Sequence, residues 1–375
     1  MTDPQQGHAA LVQSLDERGL LTPEWRAVWE RTPREAYLPE KVWRQDRDRC
    51  RPITTAKERA VFACSDEPVV TQVDDGAENG PGVATASNSM PSMVAKMLHM
   101  LDVRDGHQVL EIGTATGYVA ALLSARLGDQ NVTSVEIDAA LKDQAARFLS
   151  AAGYRPNLVL TDGEHGWPAG APYDRIVVTC ALRHIPYELI EQLRPGGVLV
   201  APRMSDFWCG ALVRLTACDD GTASGSFAGT ATFMPMRSHR GTTRVPPDTS
   251  LPRSRAGEVL PQEMLTPGFA LYAGARLPGV TLTEGREGAD LRVWVHDGQG
   301  SGAIADADGS VTEFGHRNMW DDVEVRWREW DTLDRPTDSD MGLTVTEVSE
   351  RVWVRRPTDV VEPVEQPPVT QTRPL

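Results

Sequence analysis

Between residues 91 and 215, apolar segments of two periods alternate, and this alternation dictates a parallel sheet covered by helices. Met93, Val94, Met97, Leu98 and Leu101 share one helical face. Val109-Leu110-Glu111-Ile112 then forms a strand-like run that stops at Gly113. Tyr118, Ala121, Leu122 and Ala125 make the next helical face, residues 132–135 the next strand, and Leu141, Ala145, Phe148, Leu149 and Ala152 a third face. The runs 158–160, 176–178 and 198–200 are uninterruptedly apolar, as strands buried on both faces are. Strands joined by helices pair in parallel, so the expected fold class is α/β, a Rossmann-like doubly wound sheet. Antiparallel edge strands are expected at 211–215 and 228–233.

The flanks read differently. Residues 1–80 are expected to be a helical lead-in followed by substrate-side loops. Trp25, Val28, Trp29 and Thr32 recur at helical spacing until Pro33, and Asp74-Asp75-Gly76 and Asn79-Gly80-Pro81-Gly82 read as turns. The central domain is placed at 81–240 and a Pro/Thr/Ser/Arg-rich linker at 241–262. A mostly β accessory domain for substrate recognition is placed at 263–356, from the strand-like runs 291–295, 323–327 and 351–354. Its five tryptophans are read either as core or as faces that pack on a substrate. Residues 357–375 are expected to be a disordered tail.

Charge and cysteine content narrow the partners. The net charge of −15 opposes nucleic-acid binding at long range. No apolar run is long enough to span a bilayer, and MTDPQQGHAALVQSLDERG lacks a secretion signal's basic start and apolar centre, so a cytoplasmic protein, with no membrane partner, is expected. Cys50, Cys64, Cys180, Cys209 and Cys218 are too widely spaced for a zinc pattern. Buried free thiols and no metal are expected, and a monomer is favoured.

Chemistry concentrates at the end of the first parallel strand. Gly113-Thr114-Ala115-Thr116-Gly117 opens the helix that starts at Tyr118, and its glycines let backbone approach a ligand at a helix N-terminus. Alone, that loop is also an ordinary strand–turn–helix connection. Glu136, followed by Ile137, ends the next strand, where an acid accepts ribose hydroxyls. Asp162-Gly163 follows the third strand and suits a nucleobase edge. Ala115 stands where nicotinamide-binding loops keep a second glycine. The ordered set implies S-adenosylmethionine (SAM), contacted by Glu111, Gly113, Thr114, Ala115, Thr116, Gly117, Tyr118, Glu136, Ile137, Asp162 and Gly163.

Five segments together carry a resemblance: TPREAYLPE (32–40), SNSMPSMVAKMLHML (87–101), VLEIGTATGY (109–118), YDRIVVTCALRHIP (173–186) and ATFMPM (231–236). The chain resembles the protein-L-isoaspartate O-methyltransferase family over this span. The resemblance implies a SAM-binding sheet with reordered C-terminal strands and a peptide substrate. It places Ser89 at the active-site serine, Ser87 at the hydroxyl two residues earlier, and Met90 and Cys180, Ala181, Leu182, Arg183 and His184 beside the substrate. A carboxylate is already a nucleophile, so the enzyme has to position it and strip its water rather than deprotonate it. An orienting hydroxyl suits that task; a helix N-cap ahead of Pro91 is the other reading of Ser89.

Departures from the pattern point further. Where repair enzymes have A-A-P-P-E-I-P, residues 180–186 read CALRHIP; losing the prolines and gaining Arg183 and His184 implies a different, more acidic substrate or a surface charge pair. Residues 56–82 diverge, and a region follows residue 240 that classical repair enzymes are expected to lack. VVTQVDDG (69–76) and GLTVTEVSERVWV (342–354) are similar to actinobacterial methyltransferases encoded with ATP-grasp (graspetide) or lanthipeptide enzymes. That similarity implies methylation of an aspartate in a cyclised, acid-rich ribosomal peptide, whose ester closes to an aspartimide. Isoaspartate repair and a non-catalytic SAM-fold peptide-binding module are the alternatives.

Overall fold

The computed structural model describes residues 4–46, 49–207, 210–241, 249, 251–288 and 290–364. The chain opens with α1 (Pro4–Glu17) and α2 (Pro23–Arg31). The Thr22 hydroxyl accepts the Trp25 N–H at the start of α2, and Trp25, Val28 and Trp29 are buried at the expected spacing. The stretch expected to be loops instead holds β1 (Val42–Asp46), β2 (Arg49–Ile53), α3 (Ala56–Ala63) and β3 (Val69–Val73). With β4 (Ala84–Asn88) these strands form an antiparallel sheet ordered β2-β1-β3-β4. A boundary at 80/81 would cut the β3–β4 hairpin. Strands β1 and β2 are short and each buries only one end residue, which leaves no hydrophobic alternation to read.

Next come α4 (Pro91–Leu101), β5 (Val109–Ile112), α5 (Tyr118–Leu127), β6 (Val132–Glu136), α6 (Ala139–Ala151), β7 (Asn157–Leu160), β8 (Tyr173–Val178), α7 (Tyr187–Glu191), β9 (Leu193–Arg203), β10 (Ala211–Ala217) and β11 (Ala223–Thr230). Strands β7-β6-β5-β8-β9 are parallel neighbours, and β10 and β11 add on antiparallel in chain order. This is the expected doubly wound sheet. The second edge strand begins at Ala223 rather than 228. The N-cap of α4 is Met90, with Pro91 in its first turn and no side-chain cap, so Ser89 does not cap the helix.

The C-terminal region contains β12 (Arg253–Ala256), α8 (Pro261–Met264), α9 (Pro267–Arg276), β13 (Thr281–Glu287), β14 (Asp290–His296), β15 (Gly302–Asp306), β16 (Ser310–Phe314), α10 (Met319–Thr332), β17 (Met341–Thr346) and β18 (Ser349–Val354). Strands β12-β16-β15-β14-β13 form an antiparallel sheet, so the end of the expected linker is an edge strand; residues 242–248 and 250 lie outside the described residues. Two further expectations are corrected. Residues 323–327 alternate as a strand would, but they lie in α10, because Met319, Trp320, Val323 and Trp330 bury one helical face. The hairpin β17–β18 does not belong to a separate β domain. It pairs with β11 and extends the main sheet to nine strands.

That hairpin is integral to the core. Met341, Leu343 and Val345 are almost fully buried, each worth roughly 1.5–3 kcal/mol. The Glu350 carboxylate accepts the Ile185 N–H and pairs with Arg203 at 3.1 Å, tying the hairpin to the loop after β8. Trp320, Trp330 and Trp353 are buried, and Phe207, Phe269 and Trp330 pack edge to face, so these tryptophans serve the core. The expected disorder from 357 is also corrected: Val361 is buried, and the Val364 N–H reaches the Arg276 carbonyl at 3.0 Å. Residues 365–375 and Cys209 lie outside the described residues. Cys50, Cys64 and Cys180 are half-buried and Cys218 exposed, so none is the fully buried thiol expected. No helix among the described residues is long and apolar enough to cross a membrane.

A Cβ at Gly342 would lie 2.1 Å from the Trp353 ring and 2.4 Å from the Gly225 carbonyl oxygen across the β11–β17 pairing. Gly342→Ala should therefore cost about 1–3 kcal/mol, read as a lower urea midpoint. An unchanged midpoint would contradict the pairing.

Candidate active site

The loop after β5 is shaped by backbone that ordinary residues avoid. Gly113 and Gly117 have φ of 99° and 79°, and Ala115 has φ 46°. A Cβ at Gly113 would meet the Thr179 hydroxyl at 2.7 Å. The left-handed turn at Ala115 sends its N–H to Glu136 Oε2 at 2.8 Å. Glu136 Oε1 accepts the N–H groups of Ile137 and Asp138, both at 3.0 Å. Burial raises the pKa of this carboxyl while the three N–H donors oppose the rise.

Beneath it lies a second acid. Glu111 is 1% exposed, accepts the Ser134 hydroxyl at 2.6 Å, and Ser134 in turn meets the Thr114 hydroxyl at 2.6 Å. Burial pushes the Glu111 pKa up to about 8, so it is mainly protonated at neutral pH. Asp162, after β7, accepts the Glu164 N–H at 3.1 Å. A side chain at Gly163 would press within 2.4 Å of Ile112.

Across the cleft, β4 runs into α4 and presents Ser87, Asn88, Ser89 and Met90. A fully buried guanidinium fixes this arm. Arg34 donates from Nε to Asn88 Oδ1 at 2.7 Å and from Nη2 to the Asn88 and Glu67 carbonyls at 2.8 Å. Its Nη1 reaches the Ser65 carbonyl at 3.2 Å and that of Phe62 at 3.4 Å. Burial lowers the Arg34 pKa to about 10, which still leaves it charged. Asn88 Nδ2 donates to the Thr116 hydroxyl at 2.9 Å, joining the arm to the loop after β5. Among the described residues no hydrogen bond engages the Ser89 hydroxyl, which faces a cleft of about 810 Å3.

All the residues expected around the cofactor line this cleft except Gly117, which packs against Leu149 and Ala145. Of the residues expected beside the substrate, Ser87, Ser89, Met90 and Cys180 line it; Ala181, Leu182, Arg183 and His184 do not. Ala181 and Leu182 are fully buried, bridged to Pro235 and Arg203. Arg183 turns away to the His239 carbonyl at 2.7 Å and an ion pair with Asp206. His184 stacks on His239 with centroids 4.4 Å apart.

Glu164, His184 and His239 bring potential ligand atoms within 4.8 Å of one another. However, His239 Nδ1 accepts the Arg183 N–H at 2.9 Å. Burial and the His184 ring lower the His239 pKa, so the ring is neutral and carries its proton on Nε2. A metal there would have to displace that proton, and the donor set does not favour one.

Gln72, Thr85, Asn88, Arg237 and Arg240 also line the cleft and were not singled out. The arginines follow directly on ATFMPM. Had that closing segment been expected to return over the loop after β5, they would have been found.

A profile described as Protein-L-isoaspartate(D-aspartate) O-methyltransferase (PCMT) matches residues 5–241. A protein-L-isoaspartate O-methyltransferase of Methanosarcina mazei is 40% identical over 159 residues, 42% of this chain and 65% of the relative. Protein-L-isoaspartate O-methyltransferase 1 of Rhodopseudomonas palustris (strain HaA2) is 35% identical over 239 residues, 64% of this chain and 85% of the relative. A solved protein-L-isoaspartate O-methyltransferase covers 92% of this chain and 99% of its own with a TM-score of 0.57 and 18% identity, a likeness of fold alone. Its coverage of 92% of this chain reaches past residue 241, whereas an alignment of 229 residues already spans 98% of the protein-L-isoaspartate O-methyltransferase of Pyrococcus horikoshii, which leaves that relative no comparable region.

The Glu111 geometry has a measurable consequence. Its pKa is about 8 when folded against 4.5 for the free group, so its contribution to stability is full below the lower value and lost as pH rises through 8. Glu111→Gln, which cannot ionise, should gain on the native protein between pH 5 and 8 by on the order of 1 kcal/mol per pH unit, then run parallel above. Urea midpoints at pH 5, 7 and 9 check this; a constant difference would show that Glu111 stays ionised.

Proposed function

The chain belongs to the protein-L-isoaspartate(D-aspartate) O-methyltransferase family, and we propose that it methylates the free carboxylate of an isoaspartyl residue in a peptide or protein. It is a SAM-dependent protein carboxyl O-methyltransferase, so the non-catalytic binding module is set aside. The cleft fits the cofactor: Glu136 ends β6 where ribose hydroxyls would sit, Asp162-Gly163 follows β7, and the turn at 113–117 leaves no room for side chains at Gly113. When bound, SAM supplies a methyl group on a sulfonium, electrophilic enough to need no activation.

The observation that carries the acceptor class is the missing base. Among the described residues lining the cleft there is no histidine or lysine. The acids are committed: Glu136 is held by three N–H groups, Glu111 is mainly protonated, and Asp162 caps a turn. An alcohol or ammonium acceptor would have nowhere to leave its proton before attack. A carboxylate arrives ionised, so the protein has only to place it in line with the methyl and exclude water. The unengaged Ser89 hydroxyl is the donor for one carboxylate oxygen, with Ser87 behind it on the same arm. Buried Tyr118 and the side chains of Met93 and Val119 supply the apolar wall that removes water.

A second reading is methylation of an ordinary aspartate in a cyclised ribosomal peptide, with closure to an aspartimide and loss of methanol. It draws on the divergent stretch 56–82, which folds as α3, β3 and the turn over the cleft. Incubation with SAM and two substrates separates the readings by mass spectrometry. Methyl gain on an isoaspartyl peptide, with the cyclised one untouched, supports repair chemistry, the ester there also closing to the imide with loss of methanol. Methyl gain followed by methanol loss on a cyclised aspartyl peptide alone supports the second. In either case Ser89→Ala should lower methyl transfer about a hundredfold while S-adenosylhomocysteine binding persists, and unchanged turnover would remove the serine from the mechanism.

A further inference from the structure

The only cationic side chains among the described residues lining the cleft are Arg237 and Arg240. Both are held by one acid. Asp75, at the tip of the β3–β4 turn, accepts Arg240 Nη2 at 2.9 Å and Arg237 Nη2 at 3.1 Å on the same oxygen, while Arg240 Nη1 reaches its other oxygen at 2.5 Å. Arg240 therefore grips a carboxylate with two donors, the geometry that distinguishes arginine from lysine. Arg237 also lies 3.4 Å from Asp138, which caps α6.

The turn that delivers Asp75 is built for the purpose. Asp74 and Asp75 both have positive φ, 51° and 53°, although neither is glycine. Asp74 holds the turn by accepting the Gly82 and Val83 N–H groups at 2.8 Å each, and the Asp75 N–H is fixed by the Thr85 hydroxyl at 3.0 Å. The grip itself stays open to water: the side chains of Asp75, Arg237 and Arg240 are 39%, 37% and 35% exposed. Pairs this exposed are weak and exchange with carboxylates from solution.

We propose that Arg237 and Arg240 form a carboxylate subsite at the rim of the cleft that recognises an acidic side chain flanking the methylated residue, and that Asp75 fills this subsite until the peptide displaces it. The inference rests on the proposed peptide-carboxylate methylation. The acceptor carboxylate itself is a poor tenant, because two guanidinium groups would withdraw the electron density it needs to attack. A neighbouring acid bears no such cost. A chain of net charge −15 repels acidic peptides at long range, so selectivity for them requires a local cationic pair.

The test uses two isoaspartyl peptides with amidated C-termini, identical except for glutamate or glutamine at the flanking positions. The native enzyme should show a KM about fivefold lower for the glutamate peptide, with kcat equal and the preference fading at high salt. Arg237→Gln with Arg240→Gln should bring the KM ratio to about one. Asp75→Asn, which removes the competitor and leaves the arginines, should lower KM for the glutamate peptide further. A ratio near one in the native enzyme, or a preference that survives the double substitution, overturns the subsite and leaves methylation standing. If neither peptide is methylated, the underlying reading fails and takes the subsite with it.

Discussion

A buried positive charge with no carboxylate hydrogen-bonded to it organises the active region. Arg34 is fully buried, and its contacts are one side-chain amide and four carbonyl oxygens. A guanidinium tolerates such a place only if its fixed fork of donors is matched, since an unmatched donor in low dielectric is costly. The match is made by backbone from 62–67 and by Asn88, so the peptide segments themselves are held in register. Asn88 then hands the constraint to Thr116 in the loop after β5. One charge thus couples the segment 62–67, the serine-bearing arm that continues β4 and, through Asn88, the loop after β5, three pieces well separated in sequence.

Electrostatics in the cleft follow from what that framework buries. Two glutamates lie close together, and burial alone would make both costly. Glu136 is kept at its post by three backbone N–H groups, while Glu111 keeps its proton and adds no second full charge. The result is a cleft whose described lining residues hold their acids in fixed places and include no histidine or lysine. Its rim carries arginines, and Asp75 links that rim to the turn from the N-terminal sheet.

The parts legible in the sequence were the local ones. Val109 to Tyr118 encodes strand, turn and helix within ten residues, and each step has its own chemical signature, so loop, Glu136 and Asp162 could all be placed. Residues 323–327 misled because five residues of alternation satisfy a strand, whereas the helical face of α10 emerges only when Met319, Trp320 and Trp330 are counted. The pairing of β17 with β11 joins residues more than a hundred positions apart, and periodicity carries no information about partners. Arg183 and His184 sat in a segment that resembles a substrate loop, yet the bridges of Ala181 and Leu182 pull that segment into the fold. Arg34 was visible within TPREAYLPE, but nothing in the chain announces that an arginine will be buried without an acid hydrogen-bonded to it.

The claim that Arg34 acts on chemistry by holding the serine arm is tested most directly by a double-mutant cycle on kcat/KM between Arg34→Lys and Ser89→Ala, with S-adenosylhomocysteine binding as the check on folding. Lysine keeps the charge but cannot reproduce the fork, so the arm should loosen. If Arg34 works through Ser89, its replacement will lower kcat/KM in the native background and add little once the serine is gone, a coupling of about 1 kcal/mol or more. Losses that simply add would contradict the account and leave Arg34 a matter of stability alone.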